Sequence, residues 1–91
     1  MLVTIRLFAR LREIAGTGEL KQELPAGATA RTAWDTLAAQ YPELAAYESI
    51  ASCAVNEEYA RFSTPLNDGD EVAFLPPVSG GASDPRRQTP E

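Results

Sequence analysis

The sequence predicts an α+β domain in which one main helix lies across one face of a mixed sheet of four to five strands. Three observations point there. Residues 2–8, LVTIRLF, and 71–75, EVAFL, are the two most apolar strand-like runs and stand at opposite ends of the patterned region. Between them, Ala30, Ala33, Trp34, Leu37, Ala38 and Tyr41 recur at the spacing of one helix face. The remaining patterned stretches are short and bounded by Gly, Pro, Asn and Asp, the residues of turns.

Each element follows from local chemistry. In LVTIRLF, Val3, Ile5 and Leu7 share one face and Leu2, Thr4, Arg6 and Phe8 the other, the period of a half-buried strand. ARLREIAG (9–16) carries Leu11, Ile14 and Ala15 on a short helical turn and stops at Gly16, which tolerates the left-handed backbone of a helix end. A second strand is expected over 19–24, with Leu20 and Leu24 as its apolar points, joined to the first as a hairpin with a decorated loop. After PAGAT (25–29), the Thr29 hydroxyl can accept a free amide of the first turn of ARTAWDTLAAQY, and Pro42 ends that helix. Trp34 and Leu37 are expected to anchor the core rather than to bind a ligand. A helical turn within 43–50 leads into a strand over 52–56, where Cys53 and Val55 share a face. Cys53 therefore reads as a small buried hydrophobe; the alternative, a reactive thiol, lacks a histidine or a cationic neighbour. Asn56 and Glu57 suit a turn, Tyr59 to Phe62 a short strand, and Asp68-Gly69 another turn before the last strand, whose Val72 and Phe74 point inward.

With a helix as the crossover between the first and last strands, those strands run parallel at the centre of the sheet. That is the β-grasp, or ubiquitin-like, arrangement. Residues 1–81 form the domain, and 82–91 are expected to be a disordered C-terminal extension, polar and proline-punctuated. Phe8, Leu75 and Tyr59 take the parity that faces away from the helix, which predicts an exposed apolar patch and a partner surface. The competing expectation is that the 43–50 segment shields part of it.

Composition narrows the function. The chain has 91 residues, one small domain, and a 44% hydrophobic fraction sufficient for a core. There is no apolar run of the roughly 18 residues a membrane span needs, and the N-terminus has no signal-peptide pattern, so a cytoplasmic protein is expected. The net charge of −5 arises entirely within residues 1–81. It argues against nucleic acid and anionic membrane as partners. With no histidine and one cysteine, no zinc site and no histidine-activated nucleophile can be assembled. A stand-alone enzyme is not expected.

FARLREIAG (8–16), PAGATARTAWDTL (25–37) and AVNEEYARFSTPLNDGDEVAFLPPVSGG (54–81) together resemble the small, sulfur-carrying subunit of molybdopterin synthase over residues 2–81. The resemblance implies a specific chemistry. An adenylyltransferase similar to ubiquitin-activating enzymes uses ATP to adenylate the terminal glycine, and sulfide then leaves a glycyl thiocarboxylate. The tail enters the large synthase subunit and donates sulfur to the dithiolene of the molybdenum cofactor. No cofactor is bound by the carrier itself. By position, Gly81 is the thiocarboxylate site, Gly80, Ser79 and Pro77 belong to the inserting tail, and Phe8, Tyr59 and Leu75 meet the partner. Glycines keep a threading tail slim, and Pro76-Pro77 stiffen its base. The chain departs from the pattern after Gly81, because Ala82 to Glu91 follow and leave Gly81 without a free carboxylate. Either a processing peptidase removes the segment, or it is retained and the glycines are not used as a carrier, or it is foreign to the natural chain. Competing functions are a carrier for thiamine, cysteine or tRNA thiolation, a ubiquitin-like protein modifier, and a plain interaction module.

Overall fold

The computed structural model describes residues 1–77. The expected tail residues Ser79, Gly80 and Gly81 and the segment 82–91 lie outside the described residues. Five strands, β1 (Leu2–Leu7), β2 (Glu19–Glu23), β3 (Ser52–Val55), β4 (Glu58–Ala60) and β5 (Glu71–Leu75), form one sheet in the order β2-β1-β5-β3-β4. β1 and β5 are parallel and central, with Ile5 opposite Val72 and Leu7 opposite Phe74. The other pairings are antiparallel. Helices α1 (Ala9–Ala15) and α2 (Ala30–Gln40) and a 3-10 helix (Pro42–Tyr47) complete the fold.

The alternation read from the sequence sets the two faces. Val3, Ile5, Leu7, Cys53, Val72 and Phe74 are buried against Leu11 of α1 and Ala30, Ala33, Trp34 and Leu37 of α2. Trp34 stands edge-on to Phe74 at 5.1 Å and to Phe62 at 6.2 Å between ring centroids, so one indole joins the sheet, the helix and the loop after β4. The Thr29 side chain accepts from the Thr32 amide, and the Thr32 hydroxyl accepts from the Thr29 amide at 3.0 Å; together they form a capping box. Gly16 closes α1 at φ 76.

The structure shifts three expectations. β3 ends at Val55 and β4 starts at Glu58, because Val55 pairs with Glu58 around a two-residue loop, Asn56-Glu57. Phe62 is therefore a loop residue that folds into the core rather than the end of a strand. The 42–47 segment packs on the helix side with Leu44 fully buried, so it does not cover the opposite face of the sheet. Leu24 lies just beyond β2, buried, with its amide donating to the Met1 carbonyl at 2.8 Å.

Both loop residues have positive φ, 51° at Asn56 and 72° at Glu57, the signature of a type I′ hairpin turn. Glycine is favoured at the second of these positions, and a glutamate there is strained. Glu57→Gly is expected to stabilise the domain by about 0.5 kcal/mol after the greater freedom of glycine in the unfolded chain is offset. A thermal melt should show the midpoint rising by about 2–4 °C.

Candidate functional site: the open face of the sheet

The face turned away from α2 is built by the opposite parity of every strand. Arg6 pairs across the sheet with Ala73, Ala73 with Ala54, and Ala54 with Tyr59. Two alanines at the centre of this row, flanked by an arginine and a tyrosine, leave a trough of about 280 Å³. Phe8 and Leu75 close one end, Glu57 and Glu71 the other. Tyr59 is 80% exposed and Phe8 38%, unusual for aromatic side chains and the mark of an unpartnered surface. The structure thus brings together Phe8, Tyr59 and Leu75, residues more than sixty positions apart at the extreme.

Backbone geometry holds Phe8 in place. It is extended at φ −129, ψ 154, and its carbonyl accepts from the amides of Leu11 and Arg12 at 3.1 and 3.4 Å. Ala9 follows at φ 52, a turn that sends α1 over the buried face while Phe8 stays on the open one. Arg6 is gripped on three sides. Its Nη1 donates to Glu71 Oε2 at 3.2 Å, its Nε lies 3.9 Å from Glu19 Oε1, and its guanidinium sits 5.6 Å from the Phe8 ring centroid. Sequence parity placed Arg6 on this face but gave no sign of its partners. Ala54, Ala73, Glu57 and Glu71 were missed as site residues; the available signal was a small residue on the outward parity of two adjacent central strands.

β5 carries the chain out of this trough. Leu75 lines it, Pro76 is half-buried, and Pro77 is exposed at the root of the tail.

Cys53 is on the other side of the sheet, buried, its thiol donating to the Ala60 carbonyl at 3.3 Å. Burial raises its pKa above the ordinary thiol value. The native state then holds the thiol proton more tightly than the unfolded chain. This contribution to stability is complete below the unfolded value of about 8.5 and is lost as pH rises from there through the raised native value. Urea titrations at pH 7 and about pH 9.5 should show a smaller alkaline loss for Cys53→Ala than for the parent. Among the described residues, no group of three or more His, Cys, Asp or Glu could hold a metal ion. Nor is any helix among them long and apolar enough to cross a membrane.

The ThiS family model matches residues 5–81, almost the whole patterned chain. The chain belongs to the ThiS family. Among its ThiS-family relatives is the molybdopterin synthase sulfur carrier subunit of Arabidopsis thaliana, 38% identical over 79 residues that cover 87% of this chain and 82% of that one. The subunit of the same name from Escherichia coli is 38% identical over 84 residues, covering 88% of this chain and 100% of the relative. In three dimensions this ThiS-family chain is similar to the small archaeal modifier protein 1 of Haloferax volcanii, with a TM-score of 0.77 at 30% identity, over 89% of this chain and 100% of that one. The β-grasp fold expected from the sequence is the fold of these proteins.

Proposed function

We propose that this protein is the sulfur-carrier subunit of a molybdopterin synthase. Its role is to deliver sulfur as a thiocarboxylate on Gly81. The observation that carries the reading is the place where the chain leaves the domain: β5, a central strand, passes from the rim of an apolar trough straight into PPVSGG. A carrier needs a docking surface at the root of a slim tail; the ThiS family model runs through Gly81, and relatives named molybdopterin synthase sulfur carrier subunits match 87–88% of the chain. The carrier contributes a reactive terminus and no catalytic group. ATP is consumed at the activating adenylyltransferase, and dithiolene formation takes place on the large subunit. Residues 1–81 are the working carrier, and 82–91 are removed by a peptidase that exposes the Gly81 carboxylate. The trough, apolar with carboxylates at one end, suits a partner that offers an apolar anchor flanked by basic residues.

The test is reconstitution. The 1–81 chain, incubated with its adenylyltransferase, ATP and a sulfide source, should gain the mass increment of one oxygen replaced by sulfur, and the 91-residue chain should not. Sulfur accepted at Gly81 within the intact chain would refute the processing step, and a 1–81 chain that never accepts sulfur would refute the carrier reading.

The likeness to an archaeal modifier protein favours a second reading, attachment of Gly81 to lysines of other proteins. Glycine-glycine remnants on lysines in the host proteome, dependent on this chain, would identify that role.

A further inference from the structure

We propose that residues 82–91 fold back along the open-face trough, with Arg86 and Arg87 at its Glu57–Glu71 end, and cover the docking surface until the segment is removed. The proposal rests on the reading of the trough as a docking surface.

Length and position favour this occupant. The chain leaves the trough at Leu75, and the acidic end lies back at Glu71, the start of β5, four residue steps or roughly 13 Å away. After Pro77, Val78 to Gly81 are available to reverse the chain, and a glycine pair accepts the positive φ that tight reversals require. From Gly81 to Arg86 is five residue steps, roughly 16–18 Å when extended, enough to span the trough.

Charge and size agree with that register. The net −5 of the chain resides in residues 1–81, while the only cations of the tail are the adjacent Arg86 and Arg87. At the acidic end of the trough, Glu57 is exposed and makes no ion pair among the described residues. Asp84 falls midway, level with Arg6, the only cation lining the trough. Ala82 and Ser83 are small enough to lie over a floor made by Ala54 and Ala73. Tethering raises the effective concentration to about the millimolar range, so a contact too weak to form between separate molecules is populated within one. Cleavage after Gly81 then has two effects: it frees a carboxylate and it bares the surface beside it.

Backbone amide NMR spectra of the 91-residue chain, the 1–81 chain and the Arg86→Glu/Arg87→Glu double variant test the proposal. The core formed among the described residues is contained whole in the 1–81 chain. The amides of Ala54, Glu57, Tyr59 and Ala73 should differ between the first two. The double variant, and about 1 M salt with its Debye length of about 3 Å, should move them to the 1–81 positions. Identical spectra at these four residues would overturn the proposal, and so would shifts that grow with protein concentration, which would assign the contact to a second copy. No partner is present in these spectra. If Leu75→Asp fails to weaken binding of the large subunit to the 1–81 chain, the docking reading falls while the spectra still decide the fold-back.

Discussion

Trp34→Ala should lose about 3–5 kcal/mol of stability, most of what a domain of this size possesses. The indole is fully buried and is the largest side chain in the core. It meets Phe74 of a central strand and Phe62 of a loop, edge-on, so its removal opens a cavity between layers that are fixed by the sheet and cannot close over it. Urea unfolding followed by backbone circular dichroism, which does not depend on the lost fluorophore, gives the measurement. Trp34→Phe keeps the edge contact to Phe74 and should lose less than half as much. A Trp34→Ala midpoint close to that of the parent would mean that the core is not organised around this residue.

Leu75→Asp should weaken binding to the large synthase subunit by at least about 100-fold, equivalent to about 3 kcal/mol, and leave the thermal midpoint nearly unchanged. Leu75 is on the open parity at the last position of β5 and contributes to the trough, not to the buried core. A carboxylate there is hydrated in the free protein and must lose that water in the complex without a partner already positioned for it. Tyr59→Ala should cost about 2 kcal/mol of the same binding, about 30-fold, as expected for an exposed aromatic anchor. Titration calorimetry with the large subunit checks both. Unchanged affinity in both variants, with the fold intact, would place the docking surface elsewhere.

The strands that bury one face were legible in the sequence because burial imposes a period of two. EVAFL and LVTIRLF alternate without interruption, and their parity fixed both the core and the set of outward residues. Thr29 and Gly16 were legible for a different reason, since helix ends leave unpaired backbone groups that only a few residue types can satisfy. What escaped is what depends on pairing register. Nothing local says that Val55 lies opposite Glu58, so the strand expected from Tyr59 to Phe62 was placed too late. The trough was only partly legible. Phe8, Tyr59 and Leu75 announce themselves by size, whereas Ala54 and Ala73 contribute by being small, and a small residue gains its meaning only when its cross-strand neighbours are known. Ser79, Gly80 and Gly81, the residues on which the proposed chemistry depends, were identified from motif alone and fall beyond the described residues.

The pairing of β1 with β5 also bears on how the protein is made. The first strand to be synthesised has the last as its central neighbour, Leu7 opposite Phe74, and no earlier segment supplies a substitute. Before residue 75 has emerged, the nascent chain has the β1–β2 hairpin and the helices but lacks Val72 and Phe74, the two side chains that complete the core beneath Trp34. Contacts so distant along the chain close late, after the entropy of a loop nearly as long as the domain has been lost. The core of this protein is therefore completed only by β5, and truncation before Leu75 is expected to yield a chain with an unpaired central edge rather than a smaller folded unit.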